Sequence, residues 1–268
     1  MNQRKTWADR FLSVVVGAVY VFLVLPTIVV LLAAFNSGEY LHFPPEGLSL
    51  RWFHKLMNNS QMIDSFIFSL KLALASSVTS SLLGLGAALY VVRYAGKLGN
   101  VLRPVILSPL MLPSILTGLA VMLYFYTIGA GNKSFFGLYA AHTLITTPYV
   151  FLVVSSVLYN FDYSIEEVAR SLGATRLKTF FLITLPHIKS GVIGGGIFAF
   201  ISSFDQFPLS LMLTGPGYST LPVQIFDYLR FEFDPTAAAI STLNIALAYI
   251  LMFLMQRFVG LKSIYGGQ

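Results

Sequence analysis

Long apolar runs alternate with short polar interruptions along the whole chain. Runs over about 11–35, 63–92, 104–128, 135–159, 186–207 and 236–259 each hold the ~20 residues that a helix needs to cross a bilayer. The pattern predicts an all-α membrane protein of six spans within a single domain covering residues 1–268. The interruption at 160–185 carries a helical pattern of its own. Ser164-Ile165-Glu166-Glu167 has the Ser-x-x-Glu form of a capping box and predicts a helix from about Ile165. Ile165, Val168, Ala169 and Leu172 then recur at helical spacing, and Gly173 suits a left-handed helix end. A second short helix is predicted from Thr175 to about Ile183, and Pro186 suits the first turn of the next span. The segment therefore reads as a compact helical knob. Near the other end of the chain, Ser49 to Phe53 reads as the start of a short interfacial helix capped by Ser49, with Trp52 and Phe53 at headgroup depth.

Several spans carry marks of close packing or irregularity. The second run is dense in small residues, among them Ser76, Ser77, Ser80, Gly84 and Gly86, as a helix interface in lipid requires. Gly191, Gly194, Gly195 and Gly196 do the same for the fifth. Pro104, Pro109 and Pro113 break the third run. Such prolines fit a helix that is buried in the bundle or lines a path, where other groups satisfy the freed carbonyls. Tyr124, Phe125 and Tyr126 lie near its outer end, before a short loop of Gly129, Gly131, Asn132 and Lys133. His142 in the fourth run reads as a helix–helix contact. Asp205 has two readings. Within the fifth span it would attract a cationic solute, with Gln206 beside it; at the helix end it would face water or a partner subunit.

Composition supports the membrane assignment: 56% of residues are hydrophobic and 10% charged, against about 25% charged in soluble domains. The first apolar run is too long for a signal peptide, so it is expected to remain as a span. The absence of cysteine excludes disulfides and thiolate chemistry, and the four histidines lack metal-ligand spacing. The net charge of +6 sorts by membrane side and needs no nucleic acid. Arg4, Lys5, Arg10, Arg93, Lys97, Arg103, Arg170, Arg176, Lys178, Lys189, Arg257 and Lys262 make 12 of the 17 basic residues, all on one side. The positive-inside rule makes that side cytoplasmic, with both termini and the 160–185 knob. No catalytic constellation and no phosphate-binding loop of the Gly-x-x-x-x-Gly-Lys form is present, so the chain is expected not to be an enzyme.

Glu167-Val168-Ala169, Gly173 six positions after Glu167, and Ile183-Thr184-Leu185-Pro186 together resemble the EAA loop of binding-protein-dependent ABC importer permeases. Val168 departs from the Ala that is usual at its position. The resemblance implies a type I importer permease bundle in the bacterial inner membrane, with 160–185 as a cytoplasmic coupling loop. It also implies roles for residues. Glu167, Val168 and Ala169 would seat in a groove of an ATPase, Gly173 would turn the loop, and Ile183, Leu185 and Pro186 would tie it to the fifth span. The implied partners are a second permease, two ATPase subunits that hold ATP and Mg, and an extracytoplasmic solute-binding protein.

The stretch Ser203 to Phe207, with Thr214-Gly215-Pro216-Gly217-Tyr218 and the opening Asn36 to Phe53, is similar to the spermidine/putrescine branch of that family. Where that branch commonly has two adjacent acids, this chain has Asp205-Gln206. The candidate path residues are Phe204, Asp205, Gln206, Tyr124 and Tyr126. Rival readings are a permease for an amino-acid-like or opine solute, a self-contained carrier or channel, and a scaffold without cargo.

Overall fold

The computed structural model describes residues 7–129, 134–215 and 217–257. Arg4, Lys5, the loop residues Gly131, Asn132 and Lys133, Pro216, Lys262 and the end of the sixth run lie outside the described residues. Helices are α1 (Trp7–Ala34), α2 (Arg51–Met57), α3 (Ser60–Arg93), α4 (Gly99–Met111), α5 (Ser114–Thr127), α6 (Phe135–Tyr159), α7 (Ser164–Ser171), α8 (Arg176–Thr179), α9 (Leu185–Phe204), α10 (Pro208–Leu213), α11 (Leu221–Phe231) and α12 (Thr236–Met255). Among the described residues, β structure is confined to isolated bridges at Asn36–Leu48 and Gly215–Tyr218. Among the described residues, five helical stretches are long and apolar enough to cross a membrane, and α4 with α5 would make a sixth.

That sixth covers the third run, where prolines are expected to break the helix. It bends by 100° between α4 and α5. Pro113 forces the residue before it out of the helical region, and Leu112 is extended at φ −88°, ψ 139°. The fifth span also ends earlier than expected, at Phe204 rather than 207. Pro208 has no N–H for the carbonyl of Phe204, so the helix stops and α10 restarts with proline in its first turn.

The chain divides into two compact units, one made of residues up to Ile63 with Ile225–Leu247, the other of Asp64–Gln224 with residues from Ala248. In the first unit, Asn36 is fully buried and organises the loop after α1. Its Oδ1 accepts from the N–H groups of Gly38 (3.2 Å) and Glu46 (3.0 Å), and its Nδ2 donates to the Tyr40 carbonyl. The Trp52 indole N–H donates to the Asn36 carbonyl at 2.8 Å, which docks α2. Ser49 is not the N-cap expected; that position is Leu50, and Ser49 Oγ accepts from the Arg51 N–H. Burying Trp52 and Leu56 stabilises this docking by roughly 2–3 kcal/mol each.

Lys55 on α2 pairs with Asp234 at 2.5 Å, and Asp234 also accepts from Tyr228 Oη and the Thr236 N–H at the start of α12. Burial pushes the Asp234 carboxyl up, but bonds from Lys55, Thr236 and Tyr228 outweigh it and hold the group below its ordinary 3.8. The bond to Asp234 holds the Lys55 ammonium above its ordinary 10.5. A lowered acid stabilises above its unfolded value and loses that effect as pH falls through its folded one; a raised base stabilises below 10.5 and loses it above. Lys55 is half exposed, so screening limits the pair to about 1 kcal/mol. Asp234→Asn is therefore expected to lower the detergent melting midpoint by a constant amount between about pH 5 and pH 9. The gap to wild type should close in stronger acid.

The second unit is built on α6, whose Val150 fits between two glycines. A Cβ on Gly84 of α3 would stand 2.6 Å from Val150 Cβ, and one on Gly195 of α9 would stand 2.9 Å from Val150 Cα. Only glycine lets three backbones approach this closely. Val150, Phe151, Val154, Leu158, Ala88 and Ile188 form the core there. A second core of Leu72, Leu138, Ala141, Ile145, Leu209 and Leu213 holds α10.

Candidate functional site

The knob forms, with two differences from the expected geometry. Helix α7 starts at Ser164, one residue early, and Ser164 makes no capping box. Asp162 Oδ1 accepts the Ser164 N–H at 2.9 Å instead, and that bond holds the Asp162 carboxyl below its ordinary range. The second short helix is not separate either. Helix α8 spans only Arg176–Thr179 and runs through a π-helical turn, Phe180–Thr184, into α9. Pro186 offers no N–H to the Leu182 carbonyl, and the wider turn absorbs that defect. Arg176 to Phe204 is thereby one continuous helical stretch.

Gly173 has φ +90°, and the Ala174 N–H donates to the Ala169 carbonyl at 3.0 Å, as a Schellman end requires. Thr175 Oγ1 then caps α8 by accepting from the Lys178 N–H. Glu166 and Glu167 sit in the first turn of α7 and Arg170 in its last, which suits the helix dipole. Glu167 is exposed and Ala169 half-buried. Val168, Leu172 and Leu177 are exposed at 60%, 84% and 71%. Ile183 and Leu185 are half-buried and Pro186 exposed at the start of α9.

Behind the exposed face lies a contact that the sequence reading missed. Glu166, one residue before the Glu167 singled out, takes a bidentate pair from Arg93 at the end of α3, at 2.7 and 3.2 Å. Thr184 Oγ1 donates to the same carboxylate at 2.5 Å. Arg93 also lies over the rings of Tyr163 (5.0 Å) and Phe161 (5.8 Å). The available signal was a lone arginine closing an apolar run, with two adjacent glutamates on the knob and nothing to say which one it meets.

At the break after α9, Phe204 is buried, packed edge-on to Phe66 and stacked on Phe200. Asp205 is exposed, and Gln206 is half-buried with its Nε2 lacking a hydrogen-bond partner. Tyr124 and Tyr126 stand 61% and 66% exposed near the end of α5. Tyr124 packs edge-on to Phe125.

His142 holds the break from the other side. It is fully buried, with Nδ1 2.8 Å from Ser203 Oγ and Nε2 3.0 Å from Ser210 Oγ. Ser210 gives its one hydroxyl hydrogen to the Gln206 carbonyl at 2.5 Å, so it must accept from Nε2–H. Nδ1 then accepts from Ser203. The imidazole thus clamps both ends of the 205–207 interruption, and Ser76 of α3 lies 2.9 Å from Ser203. Helix–helix contact was the reading given to this histidine, and its partners on α9 and α10 are of that kind.

Residues 80–263 match the family of binding-protein-dependent transport system inner membrane components. The chain is 33% identical over 264 residues to the putrescine transport system permease protein PotI of Escherichia coli K12, covering 95% of this chain and 92% of that one. It is 28% identical over 241 residues to the spermidine/putrescine transport system permease protein PotC of the same strain, covering 89% and 90%. Its fold is similar to a chain of a bacterial alginate ABC transporter solved with a pentasaccharide-bound periplasmic protein, at a TM-score of 0.72, 15% identity and 99% coverage of both chains. With an all-helical set of apolar spans and these relatives, the chain belongs to the binding-protein-dependent transport system inner membrane components and is a permease subunit of an ABC importer.

Proposed function

We propose that the chain acts as a single permease domain forming half of the path for a small amine-bearing solute, most closely of polyamine type. The observation that carries this reading is the 33% identity to a putrescine permease across 95% of the chain. In this reading both termini and the 160–185 loop face the cytoplasm, as the sorting of basic residues supports. The chain itself is non-catalytic. Two ATPase subunits hold ATP and Mg, a second permease completes the path, and an extracytoplasmic binding protein delivers the solute. Glu167, Val168 and Ala169 seat in the ATPase groove, and Asp205, with Phe204 and Gln206, meets the solute. Tyr124 and Tyr126 line the approach.

The test is uptake of labelled putrescine into proteoliposomes holding the complete complex. The reading expects ATP-dependent, vanadate-sensitive uptake that unlabelled spermidine competes and amino acids do not. It expects Asp205→Asn to lower uptake at subsaturating solute by roughly tenfold. Competition by amino acids alone would transfer the assignment to an amino-acid-type solute, and uptake driven by an ion gradient without ATP would remove it altogether.

Gly173→Asp gives a further expectation. No atom lies within 4 Å of a Cβ there, so the cost is the left-handed backbone alone, about 1 kcal/mol. The protein should insert and assemble normally while uptake falls with the distorted hairpin. Measuring membrane abundance beside uptake checks this.

A further inference from the structure

We infer that Arg93 and Glu166 are positioning residues for energy coupling: they lock the knob to the end of α3, so that movement of the knob reaches α3 as well as α9. The inference rests on the reading that an ATPase engages the knob. Covalently, the knob is joined to α6 through residues 160–163 and to α9 through the π-helical turn. Neither link ties it to α3.

The carboxylate of Glu166 supplies that tie. One oxygen accepts from Arg93 Nη2 and Thr184 Oγ1, the other from Arg93 Nη1. A single side chain on α7 therefore holds the last residue of α3 and the turn that enters α9. Both side chains of the pair are largely shielded, at 13% and 14% exposure. A two-point guanidinium–carboxylate contact fixes angle as well as distance, which a lysine point charge would not. Phe161 and Tyr163 flank the guanidinium and restrict its rotation. Arg93 Nε is buried with no hydrogen-bond partner, so the cluster is poorly arranged for stability alone. Its consequence is geometric. A hairpin that turns on a left-handed glycine could otherwise tilt without moving the bundle behind it.

Reconstituted complexes of this chain with its partner subunits test the inference through solute imported per ATP hydrolysed. A purely structural role would change the amount of complex and leave that ratio alone. Glu166→Gln and Arg93→Met are each expected to lower the ratio roughly tenfold while hydrolysis continues, and the double variant should be no worse than either single one. Exchanging the two residues (Arg93→Glu with Glu166→Arg) should recover most of the loss, Arg93→Lys should fall between, and Thr184→Val should give a drop of about two- to threefold. If the single variants do not assemble, the exchange and Thr184→Val still give the ratio. A wild-type ratio in Glu166→Gln, or in Thr184→Val where Glu166→Gln does not assemble, would overturn the inference. So would losses that add in the double variant with no recovery on exchange. In those cases ATP-driven uptake by the wild-type complex remains, so the proposed function survives; loss of wild-type coupling would overturn that function instead.

Discussion

His142→Ala is expected to lower the unfolding free energy by about 3 kcal/mol, seen as a marked fall in the detergent melting midpoint. The imidazole is fully buried between α9 and α10, so alanine leaves a cavity that the helices cannot easily close. The lost hydrogen bonds account for a smaller share, since such bonds between membrane helices average about 0.6 kcal/mol each. His142→Leu separates the two causes. Leucine fills most of the space, Ser210 keeps its bond to the Gln206 carbonyl, and Ser203 can turn its hydroxyl to Ser76. With no polar group stranded, that variant should cost only about 1 kcal/mol. Equal destabilisation by both substitutions would place the importance of His142 in its hydrogen bonds rather than its volume.

Gly84→Val is expected to be at least as damaging, at about 3 kcal/mol or more, and to deplete the protein from the membrane. The first added carbon would meet Val150 Cβ at 2.6 Å and the Phe151 backbone nitrogen at 3.0 Å. The valine could turn, but the backbone of α6 cannot withdraw, because Gly195 of α9 presses on Val150 from another side. Gly86→Ala on the same helix is the control. Nothing lies within 4 Å of its Cβ, so it should be neutral or slightly stabilising, by about 0.5–1 kcal/mol. Comparable losses at positions 84 and 86 would show that glycine content, not close approach, matters in α3.

Much of this architecture was legible in the chain. The run at 135–159 holds no charged residue, and α6 occupies the same residues. The hairpin was legible because helix ends carry local chemistry: Gly173 at the left-handed turn and Thr175 at the next cap need only their neighbours. What was not legible depends on distant residues or on direction. Hydrophobic runs count residues without recording where they point, so a run holding Pro113 read as a span although its halves diverge by 100°. Asn36 looks like any loop residue until Trp52, far along the chain, donates to its carbonyl. The local patterns single out Glu167, yet Glu166 faces Arg93 and Glu167 is exposed, because of how α7 is rotated. At the break after α9, proline at 208 was visible, but His142, which bonds Ser210 beyond it, lies on another helix.

In the proposed function the 160–185 hairpin faces the cytoplasm and is gripped by an ATPase. The chain has no cysteine, so Val168→Cys places a single thiol on the exposed face of α7. A membrane-impermeant maleimide should label it from the inner face alone, and in the assembled complex the thiol should be shielded and should crosslink to the ATPase subunit in a nucleotide-dependent manner. Labelling from the outer face, or full reactivity in a complex that is hydrolysing ATP, would contradict the account.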